Sequence, residues 1–117
     1  MEYDKQIQKL KAISDPKRLK IIDLLSCGEY CGCNLLEHFE FTQPTLSHHM
    51  KVLIASGLVE SRKEGLWTYY KLCESTASEF MGNLKSIFSE TEDCICKTIQ
   101  IDCNNKEITN EVNSEGV

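Results

Sequence analysis

A chain of 117 residues, 41% hydrophobic and 26% charged, is sized for one core, and none of its apolar runs approaches the roughly 18 residues of a membrane span. The formal charge of −5 speaks against uniform phosphate binding, but residues 91–117 hold six acidic and two basic side chains, while residues 43–72 set Lys51, Arg62, Lys63 and Lys71 against Glu60 and Glu64. Seven cysteines are an odd number, and the start Met1-Glu2-Tyr3-Asp4-Lys5 is charged rather than signal-like; reduced thiols in a cytoplasmic protein are expected, not a secreted disulfide framework.

Tyr3, Ile7, Leu10 and Ile13 fall at helical spacing and predict a first helix over residues 3–13 whose apolar stripe needs a partner. Ser14-Asp15-Pro16 supplies a cap and a proline for the first turn of a second helix through Leu19, Ile22, Leu24 and Leu25, which Gly28 is placed to end. A third helix is expected from Cys31 or Gly32 to Phe39, with Leu35, Leu36 and Phe39 inward, and Glu40-Phe41 makes a short turn. Thr42 then reads as the N-cap of a fourth helix, with Pro44 in its first turn. Leu46, Met50 and Leu53 face inward, which leaves Gln43, Thr45, Ser47, His48 and Lys51 as a polar face able to enter a major groove.

After Ser56-Gly57 the pattern becomes strand-like, in Leu58-Val59-Glu60-Ser61-Arg62 and Trp67-Thr68-Tyr69-Tyr70-Lys71-Leu72, with a turn over residues 63–66. A hairpin behind a recognition helix is a wing, with Arg62 and Lys63 near its tip to meet the phosphate backbone. Phe80, Met81, Leu84, Ile87 and Phe88 line one side of a last helix over about residues 75–90, a larger apolar face than this core absorbs. The fold expected is mainly α: a winged helix-turn-helix ordered α-α-α-α-β-β-α, paired as a homodimer through its first and last helices. Residues 1–90 form the DNA-binding and dimerisation domain, and residues 91–117 an acidic, cysteine-containing flexible tail.

The runs Ser14-Asp15-Pro16-Lys17-Arg18-Leu19, Gln43-Pro44-Thr45-Leu46-Ser47-His48-His49-Met50-Lys51-Val52-Leu53, Ala55-Ser56-Gly57-Leu58-Val59 and Arg62-Lys63-Glu64-Gly65-Leu66-Trp67-Thr68-Tyr69-Tyr70-Lys71-Leu72 resemble the ArsR-type (ArsR/SmtB) family of bacterial metal-responsive repressors. The resemblance implies a homodimer that sits on double-stranded operator DNA and leaves when a toxic ion binds. By position it gives DNA contacts to Gln43, Thr45, Ser47, His48, Lys51 and Arg62, and makes His49 a packed helix residue. Arsenic, antimony, cadmium and lead sensors of the family often carry Cys-x-Cys before the recognition helix, as Cys31-Gly32-Cys33 stands here. No histidine occurs between Glu74 and Glu90, so the family's zinc and nickel site on the last helix is not expected.

Thiolates suit soft ions, so the inducing ligand expected is arsenite or antimonite, with cadmium and lead as alternatives, and no permanent cofactor. Side chains at i and i+2 of a helix point about 200° apart, so Cys31 and Cys33 are expected to grip one ion only by unwinding or distorting the first turn of the third helix, which misplaces the recognition helix and releases DNA. Gly32 would ease that distortion. Where some relatives have a third cysteine this chain has Leu36; Cys27, Cys94, Cys96, Cys103 or a small external thiol remain as third ligands. A thiol-redox or sulfide sensor of the same fold is the alternative reading. An enzyme is not expected: there is no phosphate-binding glycine loop, and no cysteine with a base and an orienting residue.

Overall fold

The structure is a computed structural model that describes residues 3–89. Its elements run α1 (Tyr3–Ile13), α2 (Pro16–Leu25), β1 (Tyr30–Cys31), α3 (Gly32–Leu36), α4 (Gln43–Ala55), β2 (Val59–Glu64), β3 (Trp67–Leu72) and α5 (Glu74–Phe88). One compact unit ends at Asn83, within α5. The expected tail, with Cys94, Cys96 and Cys103, lies outside the described residues. No helix among the described residues is long and apolar enough to cross a membrane.

Helix starts follow local chemistry. The Asp15 carboxylate accepts from the N–H groups of Lys17 and Arg18 at 2.9 and 3.1 Å, satisfying two donors of the first turn of α2. Those same bonds, the one from Arg18 foremost, hold its carboxyl below the ordinary carboxylate range. Thr42 caps α4 only through its extended backbone, φ −89° and ψ 170°; its hydroxyl turns to the Thr45 hydroxyl instead, at 3.3 Å. Helix α4 ends where Gly57, at φ 87°, turns the chain left-handed toward β2.

Two expectations need correction. The third helix stops at Leu36 rather than Phe39: the N–H groups of Glu37, His38 and Phe39 bond three residues back, and the chain unwinds into a turn. The Phe39 and Phe41 rings, stacked at 4.6 Å, and the Lys20 ammonium over Phe39 at 4.8 Å occupy that connection. The second concerns the sheet, which has three antiparallel strands ordered β1-β3-β2, not a bare hairpin. The added edge strand places Tyr30 opposite Tyr70 and Cys31 opposite Tyr69.

The wing turns on Gly65-Leu66, because Glu64 pairs with Trp67; the positive φ of Gly65 suits so tight a connection. Arg62 therefore lies within a strand, opposite Tyr69. The core joins Ile21 and Leu25 of α2, Leu35 of α3, Leu46, Met50 and Leu53 of α4, Leu58, Val59 and Phe80. On α1 the buried positions are Gln6 and Ala12, while Tyr3 and Ile7 stay exposed; on α5 Phe80 is buried, while Met81, Ile87 and Phe88 are exposed. The apolar stripes of both helices are thus only partly used by this chain's own core.

Leu53, in the last turn of α4, is fully buried. Leu53→Ala is expected to lower the unfolding free energy by about 2–5 kcal/mol, read by urea denaturation; an unchanged midpoint would contradict this packing.

Candidate functional site

Helix α4 presents one face to its own protein and another to solvent. Leu46, His49, Met50 and Leu53 are buried; Gln43, His48 and Lys51 are exposed, and Thr45 and Ser47 half-buried. Gln43 Nε2 donates to Ser47 Oγ at 3.1 Å, tying two members of the polar face together one turn apart. The structure brings all five expected α4 residues to the first two and a half turns of one helix.

A histidine buried at the root of that helix needs a polar partner, and Arg18 supplies it. A guanidinium only donates, so the 3.2 Å contact of Arg18 Nη1 with His49 Nδ1 makes that nitrogen the acceptor. Arg18 Nε also donates to the Ala12 carbonyl at 2.6 Å. One side chain of α2 thus joins the end of α1 to the recognition helix. Burial lowers the His49 pKa, with the charge of Asp15 opposing and that of Arg18 adding to the effect.

The thiol pair contradicts the mechanical conflict that the sequence suggested. Cys31 does not belong to the helix: it ends β1 with extended angles, φ −69° and ψ 147°, and is the N-cap residue of α3. Across that strand-to-helix junction the two sulfurs lie 2.8 Å apart, so no helical turn must open to bring them together. Gly32 is already helical, and a methyl there would touch Tyr70 Cε2 at an ordinary 3.4 Å; its place needs no special dihedral. Cys31 is buried and Cys33 exposed.

The two thiols shift in opposite directions. The bond to Cys33 lowers the Cys31 pKa, with the N–H groups of Cys33 and Asn34 adding to the effect against burial. Cys33 is pushed up, first by that same bond and further by desolvation and the Cys31 charge. Two sulfurs this close suit a soft ion, which binds them as their protons leave. Among the described residues, no set of three histidine, cysteine or carboxylate side chains converges as a metal cage, so Cys27, which is exposed, is not brought to the pair. The positions of Cys94, Cys96 and Cys103 fall outside the described residues.

One row of the sheet crosses from thiol to wing. Cys31 pairs with Tyr69, and Tyr69 pairs with Arg62. The Arg62 guanidinium lies over the Tyr69 ring at 4.6 Å. It is also held by both oxygens of Glu29, at 2.9 Å each, and by Glu64 at 2.7 Å. Those carboxylates raise the Arg62 pKa.

Against known proteins, residues 15–61 match the pattern described as "Bacterial regulatory protein, arsR family". A Staphylococcus aureus protein named arsenical resistance operon repressor is 47% identical over 100 residues, spanning 86% of this chain and 96% of that one. The chain belongs to the ArsR family. Among solved structures, one described as a possible transcriptional regulator for arsenical resistance shares the fold of this ArsR-family chain with a TM-score of 0.65 at 30% identity, covering 71% of this chain and 86% of that one. The homodimeric winged helix-turn-helix DNA-binding domain of a Mycobacterium bovis protein, a possible ArsR-family transcriptional regulator, matches with a TM-score of 0.61 at 30% identity, over 72% of this chain and 79% of that one.

Arg18, Glu29 and Tyr69 were not singled out by the pattern of this ArsR-family sequence. Arg18 reads as one more charge in a helix start, and Glu29 as a loop residue after Gly28. The usable signal was Tyr30-Cys31 after a glycine turn, a β-favouring pair too short to show alternation.

Two outcomes follow. Because folding favours neutral His49, its contribution is complete above the ordinary value of 6.5 and is lost as pH falls from there through the lowered folded value. Melting temperature should drop over that window, and His49→Gln, which still offers Arg18 an acceptor, should flatten the drop; equal slopes would refute it. For the thiols, Cys33→Ala should raise the Cys31 pKa toward the ordinary value, as seen in thiolate ultraviolet absorbance after subtracting the Cys31→Ser/Cys33→Ala variant.

Proposed function

We propose that this chain is a homodimeric repressor of an arsenical resistance operon, acting in the cytoplasm, that releases its operator DNA when arsenite binds the Cys31 and Cys33 thiolates. Antimonite shares the thiol chemistry of arsenite; cadmium and lead are competitors for the same sulfurs. The observation that carries the reading is the 2.8 Å sulfur pair at the mouth of the helix-turn-helix, in a family of regulatory proteins. It works by binding equilibria, without turnover.

Gln43, Thr45, Ser47, His48 and Lys51 face the major groove, and Arg62 approaches a phosphate from the wing. A second copy covers the exposed Tyr3 and Ile7 of α1 and the exposed Met81 of α5, and doubles the phosphate contacts that a modestly basic face supplies. The pair offers two sulfur donors, and a tail thiol, from Cys94, Cys96 or Cys103, completes the set. Because Cys31 is stitched into the sheet, a ligand on its sulfur bears on β3 and the wing as well as on α3. Release then reflects the tighter grip of the ligand on the form that fits DNA poorly.

Titration of the protein bound to its own upstream DNA tests this. Arsenite is expected to release wild type; Cys31→Ser and Cys33→Ser should bind DNA normally and stay bound, and truncation after Glu90 should weaken the arsenite response while sparing DNA binding. Release of the Cys31→Ser/Cys33→Ser variant by arsenite would overturn the site.

A further inference from the structure

Every nitrogen of the Arg62 guanidinium is engaged inside the chain: Nε and Nη2 by the two oxygens of Glu29 and Nη1 by Glu64. Two carboxylates around one cation offset its charge and occupy the donors that the phosphate Arg62 is proposed to meet would take. Carboxylate and phosphate accept the same forked pair of N–H donors, so they compete for it. The exchange is feasible because the pair is not deeply buried, the side chains of Arg62 and Glu29 being 49% and 31% exposed; such pairs cost little to break.

Glu29 stands just ahead of Tyr30-Cys31, the strand that carries the buried thiol. The carboxylate on the sensor loop and the wing arginine are 33 residues apart in sequence and meet only because β1 joins the sheet beside β3. We propose that Glu29 is a latch on the wing: closed, it holds Arg62 against the Tyr69 ring and away from DNA; open, it yields Arg62 to a backbone phosphate. The sensor loop and the operator therefore compete for one cation. A ligand that fixes the Cys31–Cys33 segment keeps Glu29 in place and favours the closed latch, and by linkage DNA that draws Arg62 away weakens the ligand in equal measure.

The latch rests on the proposed function, and the test separates the two. Wild type, E29Q, R62Q and E29Q/R62Q, each checked for an unchanged circular dichroism melt, are titrated with operator duplex across a salt series, with and without arsenite. Freed from Glu29, Arg62 meets its phosphate without first breaking the pair, so E29Q should bind up to about fivefold tighter per subunit, the worth of an exposed ion pair, while R62Q should flatten the salt slope by about one per subunit. Arsenite should release E29Q less completely than wild type, and E29Q/R62Q should match R62Q. The latch fails if E29Q binds like wild type or more weakly, or if its gain persists without Arg62, which would mark a general charge effect. Failure of wild type itself to bind the duplex would instead bring down the proposed function, and the latch with it; binding without arsenite release would remove the inducer and leave the latch to be judged by the affinity gain of E29Q and its loss in E29Q/R62Q.

Discussion

The pairing of Tyr30 and Cys31 with Tyr70 and Tyr69 sets the geometry of nearly everything else. Because Cys31 is held in extended backbone, α3 begins one residue later, and the chain turns between the two thiols instead of winding through them. That turn places the sulfurs side by side. It also seats the Cys31 charge close enough to the half-buried Tyr70 ring to raise its phenol pKa, together with the stronger effect of burial. The Cys31 strand and the wing share a sheet, so the thiol pair is joined to the hairpin directly and not only through α3 and the connection that follows it.

Helices and hairpin were legible because their signals extend over many residues. Asp15-Pro16 marks a helix start by its chemistry, and Leu46, Met50 and Leu53 mark an inward face by their spacing. The edge strand was illegible for the opposite reason: with two residues it has no period to detect, and only the distant partner Tyr69-Tyr70 makes it a strand. The misplaced end of the third helix has a related cause, since Leu36 and Phe39 keep helical spacing while the Phe39–Phe41 stack takes the chain out of the helix. Of the candidate site, the residue identities were visible and the relations between them were not. Cys-x-Cys names two thiols, but whether they converge depends on whether both belong to the helix.

The polar groups beneath the recognition helix show the same division. His48 and His49 are neighbours in sequence with different roles, one exposed on the polar face and the other buried against Arg18. Periodicity alone tells them apart, but it does not reveal that the buried imidazole leans on α2 and the end of α1 through a single guanidinium. Arg18 thereby makes the orientation of α4 a property of three helices.

The brevity of β1 carries a consequence for how readily the Cys31 sulfur is reached. A two-residue strand on the rim of a sheet is fastened by few main-chain bonds, and segments so fastened open and reclose without the body of the protein unfolding. Cys31 is mounted on that rim, while the buried leucines of α4 belong to the packed core. Local opening of the rim exposes the buried sulfur of Cys31 without global melting.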